Sequence, residues 1–323
     1  MGESRAGGKG FAGGRPGPAS VRKLKKNAES AAGRAAAFRL TRAEERRLLA
    51  AARAGDRRAL SRLLELLSGP IYRFGRGFCG DPHDAEDVAQ VTLAALARTL
   101  HDFRGDSSLT TWAYTVARNA CTRHRRRGAG EPARFEALDA GGPERSAALQ
   151  VADPGEDPQR ALERAELRAT LERAIASLPP AQREVLVLRD VEGLPAKQVG
   201  KILGLGERAV KSRLHRARVA LREALAPHVP AAAPVARAQN GTGRCPDVAR
   251  VLSRYLEGEL DAGACAKLET HVRGCPSCGA ACETLRAALG TCSSWRGEKL
   301  PAEVREAVRT AIREVVAVGR TKS

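Results

Sequence analysis

Apolar positions along most of this chain return every three or four residues and almost nowhere alternate with polar ones over a long run, so the pattern predicts an all-α protein. In "DAEDVAQVTLAALARTL" Val88, Thr92, Ala95 and Thr99 share one side of a helix, while Glu86, Asp87 and Gln90 lie on the other. After "FRGDSS" a second helix is expected to start at an N-cap of Ser107 or Ser108. Its inner stripe is Leu109, Trp112, Val116, Ala120 and Cys121, with Trp112 read as core and Tyr114 as the exposed aromatic. Farther on, "EGLPAKQVGKILGLGERAVKSRLHRARVAL" has the rhythm of a helix-turn-helix. A first helix from Pro195 to Leu203 is stopped by Gly204-Leu205-Gly206, and a second begins near Glu207. On that second helix Val210, Leu214, Ala217 and Leu221 form the buried stripe. Near the end, Val304, Val308, Ile312 and Val315 mark an amphipathic helix within 301–318.

Between the periodic blocks the composition changes. Residues 1–40 are Gly-, Ala- and Lys/Arg-rich and read as a disordered basic tail; 41–127 is a first helical domain; 128–158 is a Gly/Pro/Ala/Asp-rich linker. Residues 159–226 form a second helical domain, 227–244 a second linker, 245–295 a His/Cys-containing domain, and 296–323 the tail helix.

Charge then narrows the partner. The 323 residues carry a formal net charge of +18, with a pI near 10.3, which points to a polyanion, first to nucleic acid and second to an acidic membrane surface. The basic side chains are placed for it. On the second helix of the helix-turn-helix, Arg208, Lys211, Ser212, His215 and Arg216 point away from the buried stripe, as groups that contact base edges and phosphates do. The helix carrying Trp112 ends in Arg118, Arg123, His124, Arg125, Arg126 and Arg127, a phosphate clamp or otherwise a solvated tail. The acidic face of Glu86, Asp87 and Gln90 suits a protein partner instead. With no run of eighteen apolar residues and no apolar leader, no membrane is expected and a cytoplasmic location is.

Eight cysteines in a reducing compartment suggest metal ligation or redox sensing. In "CPDVARVLSRYLEGELDAGACAKLETHVRGCPSCG", His271 and Cys275 stand one helical turn apart and Cys275 and Cys278 form a C-x-x-C knuckle. With Cys245 they make a Cys₃His set that satisfies tetrahedral Zn²⁺ and leaves no open position, so a structural ion is expected. Cys265, Cys282 and Cys292 are extra: buried residues first, a softer second metal or a redox pair otherwise. Over 245–295 five Lys and Arg stand against six Asp and Glu, a net of −1 that suits packing on protein. The G-x-G-x-x-G of "GRGFCG" (75–80) follows a helical stretch rather than a strand, so a dinucleotide loop is rejected. No catalytic residues are nominated, and an enzyme would have only a closed metal site to rest on.

"DAEDVAQ", "FRGDSSLTTWAYTVARNACTRHRRR" and "LPPAQREVLVLRDVEGLPAKQVGKILGLGERAVKSRLHRARVALREAL", in that order, resemble bacterial RNA polymerase sigma factors of the extracytoplasmic-function (ECF) group over roughly residues 45–226. The resemblance implies that Asp84, Glu86, Asp87 and Gln90 dock on core polymerase. It implies that the loop near Arg104–Leu109 and the helix from Trp112 to Arg126, including Arg118, Asn119, Arg123, Arg125 and Arg126, bind the promoter −10 element. Arg208, Lys211, Ser212, Arg213, His215 and Arg216 would read the −35 element. Ala113, where the family usually has a bulky residue, and the basic extension depart from the pattern. The His/Cys segment resembles the small zinc-binding anti-sigma domain, which implies a built-in regulator, inhibiting or activating. A linker of about 30 residues spans roughly 30 Å r.m.s., enough for elements one or two turns of duplex apart at roughly 34 Å per turn. The rival reading is a metal- or redox-responsive helix-turn-helix repressor or activator, which has no reason to carry the acidic "DAEDVAQ" helix.

Overall fold

The computed structural model describes residues 42–79, 82–105, 107–130, 158–228, 245–296 and 300–318. The basic tail predicted for 1–40, and the greater part of the linkers predicted for 128–158 and 227–244, lie outside the described residues. The described residues are helical, with no strand among them, and no helix among them is long and apolar enough to cross a membrane.

The first unit contains α1 (Arg42–Arg53), α2 (Arg57–Cys79), α3 (Pro82–Thr99) and α4 (Leu109–Gly130). Its axis is α2, which buries Leu63, Leu64, Ile71, Phe74 and Phe78. Phe74 stacks on Phe78 at 5.5 Å and meets Tyr114 edge-on at 5.6 Å. Gly75 lets α3 lie close, since a Cβ there would stand 3.2 Å from the Ala85 Cα. The face of α3 that packs is Ala85, Val88, Ala89, Thr92, Leu93 and Leu96. Ala95 and Thr99, predicted on that side, are half-buried and exposed, because the packed stripe drifts one residue from a strict i+4 spacing. Ser108 caps α4, its Oγ accepting from the Thr111 N–H at 3.1 Å. The helix then runs past Arg127 to Gly130, into the stretch predicted as linker.

The second unit contains α5 (Pro158–Ser177), α6 (Pro180–Leu186), a π-turn (Val187–Val191), α7 (Ala196–Leu203) and α8 (Glu207–Leu225). Pro180 suits the first turn of α6, where no amide hydrogen is required. The helix-turn-helix stands as predicted. Gly204 ends α7 in the left-handed region at φ 67°, and the Leu205 N–H returns to the Gly200 carbonyl at 2.9 Å. Val210, Leu214, Ala217 and Leu221 of α8 are all buried.

The third unit contains α9 (Val248–Leu256), α10 (Ala262–Gly274) and α11 (Pro276–Trp295), followed by α12 (Ala302–Val318). Asp247 and Asp261 cap α9 and α10 by accepting from the Arg250 and Ala264 amides. The unit's own core is small: Val248, Leu252, Cys278, Cys282 and Leu285. The far end of α11, with Ala288, Cys292 and Trp295, joins a core continuous with the first two units, and so do Val304, Val308 and Ile312 of α12. Helix α11 packs on α8 and the π-turn, while α12 lies on α2 and α3. The three units and the tail helix therefore form one closed assembly.

A Cβ at Gly200 would stand 2.6 Å from the Leu205 carbonyl oxygen, a backbone atom with no room to retreat. Gly200→Ala is therefore expected to destabilise the helix-turn-helix by about 1–3 kcal/mol, read as a lowered melting temperature; an unchanged melting curve would contradict the close packing of this turn.

Candidate functional site

Cys245, His271, Cys275 and Cys278 come together as the sequence spacing predicts, their ligand atoms all within 4.8 Å of one another. His271 sits in the last turn of α10, Cys275 at the junction, Cys278 in the first turn of α11 and Cys245 just before the Asp247 cap. Cys245 Sγ lies 3.9 Å from Cys275 Sγ, and His271 Nε2 lies 3.2 Å from Cys278 Sγ. Tetrahedral Zn²⁺ with Zn–S of about 2.3 Å requires S···S of about 3.8 Å, so the donor set fits such an ion. The Cys278 amide holds the Cys275 thiol below its ordinary range, whereas burial and then its neighbours Cys275 and Cys245 push Cys278 up to about 12. Thiolates this close repel one another unless a cation sits among them. Of the remaining cysteines in this unit, Cys282 and Cys292 are buried and Cys265 is half-buried, and all three lie outside the cluster.

The basic face of α8 is only partly open. Arg208, Ser212 and Arg216 are exposed, while Lys211, Arg213 and His215 are half-buried. Lys211 Nζ lies 2.6 Å from Glu259 and 3.1 Å from Glu207. These contacts, Glu259 first, raise the Lys211 pKa. His215 faces Asp247 at 3.9 Å. Both Asp247 and Glu259 belong to the third unit, so its acidic groups stand on the side chains predicted to read DNA. Deeper on the same helix, Arg218 pairs with Asp190 through two hydrogen bonds of 2.8 and 2.6 Å and approaches Glu257 at 3.6 Å. Burial alone would lower its pKa; Asp190 and then Glu257 more than offset that and raise it. Glu257 also accepts from Arg189 at 2.8 Å.

In the first unit Asp84 is half-buried and pairs with His124 at 2.8 Å; Glu86 and Gln90 are half-buried and Asp87 is exposed. Asp87 lines a groove with Val88, Val91, Ala95, Arg98, Ala120, Arg123 and His124. On α4, Asn119 and Arg123 are exposed, Arg118 pairs with Glu184 of α6 at 3.3 Å, and the side chains of Arg125 and Arg126 lie outside the described residues.

Tyr114 corrects an expectation. Predicted as the exposed aromatic, it is 2% exposed, because its ring packs edge-on against Phe74 of α2 and its hydroxyl donates to Glu192 of the second unit at 2.7 Å. Glu192 also accepts from Arg73 of α2 at 2.9 and 3.2 Å. Gln198 of α7 donates to Ser108 and Thr111 at the start of α4, at 2.8 and 2.6 Å. Arg296 donates to the Val191 and Asp190 carbonyls at the end of the π-turn. Arg73, Glu192, Gln198 and Arg296 are not among the residues that the sequence singles out. The one signal available was the Gly75/Gly77 pair of the rejected dinucleotide motif: a Cβ on Gly77 would stand 2.7 Å from Val187, so that glycine marks where the two units meet.

Three families match in this order: "Sigma-70 region 2" over residues 63–130, "Sigma-70, region 4" over 168–221, and "Putative zinc-finger" over 245–279. The RNA polymerase sigma-H factor of Pseudomonas aeruginosa is 35% identical over 190 residues, 58% of this chain and 97% of that protein. The ECF RNA polymerase sigma factor SigW of Bacillus subtilis is 30% identical over 171 residues, 53% of this chain and 91% of that one. The chain belongs to the ECF RNA polymerase sigma factors. A solved structure of CnrH in complex with the cytosolic domain of CnrY aligns with a TM-score of 0.40 and 26% identity, over 56% of this chain and 97% of that one. This sigma factor carries, beyond its two sigma regions, a Cys/His segment that matches the putative zinc-finger family.

Replacing both Cys275 and Cys278 by alanine is expected to abolish metal binding, read as loss of the ion from the purified protein by elemental analysis. Metal content unchanged in that double variant would remove the Cys₃His assignment.

Proposed function

We propose that this sigma factor directs promoter-specific initiation by RNA polymerase and is held inactive by its own C-terminal unit, which a structural Zn²⁺ keeps folded. Asp84, Glu86, Asp87 and Gln90 on α3 dock on core polymerase. The loop from Arg104 and α4, with Arg118, Asn119, Arg123, Arg125 and Arg126, take the −10 element, and Arg208, Lys211, Ser212, Arg213, His215 and Arg216 on α8 take the −35 element. These roles rest on the match to the two sigma regions, on the acidic groups of α3 and on the partly exposed cationic residues of α4 and α8.

The observation that carries the inhibitory reading is the Glu259–Lys211 contact at 2.6 Å, with Asp247 facing His215 beside it. A carboxylate seated on a DNA-reading cation takes the place a phosphate or base edge needs. Two further features support it. Helix α12 lies along α3, the helix that carries the polymerase-docking residues, and the two sigma regions are packed together although promoter elements lie apart on the duplex. Tethering supplies an effective concentration of order mM, so modest contacts suffice to populate the closed form. The Cys₃His ion leaves no open position and contributes folding energy rather than chemistry.

Full-length chain carrying Asp247→Lys and Glu259→Lys places cations against Lys211 and His215. With core polymerase it is expected to yield about tenfold or more additional promoter-dependent transcript, the ratio that about 1.4 kcal/mol of lost closure produces; a chain ending before Cys245 is expected to do the same. Output equal to wild type from both would end the inhibitory reading. Absence of promoter-dependent RNA from every form would end the assignment of promoter specificity.

A further inference from the structure

The two sigma regions grip each other through residues that belong to neither the third unit nor α12. We propose that Glu192, held by Arg73 and Tyr114, is a latch that closes the sigma regions on one another independently of the zinc domain. The inference rests on the regulatory reading above and deepens it, because it divides closure into two locks.

Glu192 sits just past the π-turn of the second unit, with its side chain 3% exposed against 11% for Arg73. Both carboxylate oxygens are engaged by the first unit: Oε1 by Arg73 Nε at 2.9 Å, and Oε2 by Arg73 at 3.2 Å and the Tyr114 hydroxyl at 2.7 Å. A two-point guanidinium contact plus a phenol fixes one docking geometry, whereas apolar surfaces alone tolerate sliding. Around it the same two units are joined by Arg76–Glu172 at 3.0 Å, Arg118–Glu184 at 3.3 Å, Arg183 to the Phe78 carbonyl at 3.2 Å, and Gln198 on the Ser108 cap. Gly77 admits Val187 at the centre. Every donor and acceptor in this set can be taken over by water once the units part, so the grip can open without leaving an unsatisfied group.

The consequence concerns the DNA- and polymerase-facing elements themselves. Gln198 occupies the residues that start α4, and Arg118 of α4 is neutralised by Glu184. While the latch holds, the −10 helix is engaged by the second region even where the zinc domain has let go of α8. Loss of metal alone therefore releases the chain only in part.

The test uses full-length protein with donor and acceptor dyes on non-natural residues at exposed positions 58 and 224, one in each of the first two helical units, alongside transcription with core polymerase. Glu192→Gln keeps the shape and leaves Arg73 uncompensated. It is expected to shift the closed-to-open ratio about tenfold or more toward open and to raise transcript further when added to Cys275→Ala/Cys278→Ala. Tyr114→Phe, which keeps the ring in the core, is expected to shift the dye distance the same way by less. The exchange Arg73→Glu with Glu192→Arg is expected to restore the closed distance. Unchanged dye distance and transcript in Glu192→Gln, in a chain whose metal-site variant is activated, would overturn the latch alone. If the metal-site, latch and combined variants all match wild type, the regulatory reading falls with it.

Discussion

The stretch from Val187 to Gly193 has to meet three neighbours at once, and the closed assembly depends on its doing so. Val187 fits against Gly77 of α2; Arg189 reaches Glu257 and Asp190 holds Arg218; Glu192 takes Arg73 and Tyr114. The backbone is wound as a π-turn, which widens the helix by a residue and re-aims successive side chains. Widening exposes carbonyls at the end of the turn, and the Arg296 guanidinium accepts that role, donating to Asp190 and Val191. Gly193 then turns the chain at φ 68°, beneath that same guanidinium. One irregular segment is thus the common wall of the two sigma regions and the zinc-finger unit.

The third unit needs that wall. Its own buried cluster holds only Val248, Leu252, Cys278, Cys282 and Leu285, too little apolar area for a segment of this size to stand without a metal or a partner. The Cys/His set pins α10, the start of α11 and the approach to α9 at one end, while Ala288, Cys292 and Trp295 at the other end of α11 enter the sigma core. A metal held by that set and the docking contact would act on opposite ends of a single helix. An ion ordering the near end would set the direction in which the far end is presented, and so would couple a closed coordination site to the exposure of α8.

What could be read from the sequence was local. The helix-turn-helix, the α8 stripe and the tail helix follow from 3.6-residue periodicity and a glycine at the stop; the Cys₃His set follows from H-x₃-C-x₂-C on a helix end. Tyr114 and Glu192 were not legible, since each has a partner 78 residues away in the chain and periodicity carries nothing about which faces of separate domains meet. A single 3.6-residue stripe leaves Tyr114 off the inner side of α4, but α4 buries two faces, one on α2 and α3 and one on α7, and Tyr114 lies between Phe74 and Glu192. The glycines of "GRGFCG" held the missing information in a misleading form. Their spacing imitates a phosphate loop, yet on a helix the reason for them is close approach: Ala85 against Gly75 and Val187 against Gly77.

The two sets of polar contacts differ in how far water reaches them, and that sets an order of release. Lys211 and Glu259 are about a third exposed, and Asp247 is more than half exposed, so salt and a competing polyanion act on them directly. Arg73, Glu192, Arg218 and Asp190 are nearly enclosed and are screened far less. A duplex engaging α8 as proposed would meet the weak, displaceable carboxylates first, while the enclosed pairs would hold the register of the units until the surrounding apolar contacts part. Buried ion pairs contribute little net stability but strongly disfavour a misaligned docking. They would suit an interface that separates and closes again in the same geometry, because water can solvate each partner while the units are apart and only the original alignment satisfies both on return.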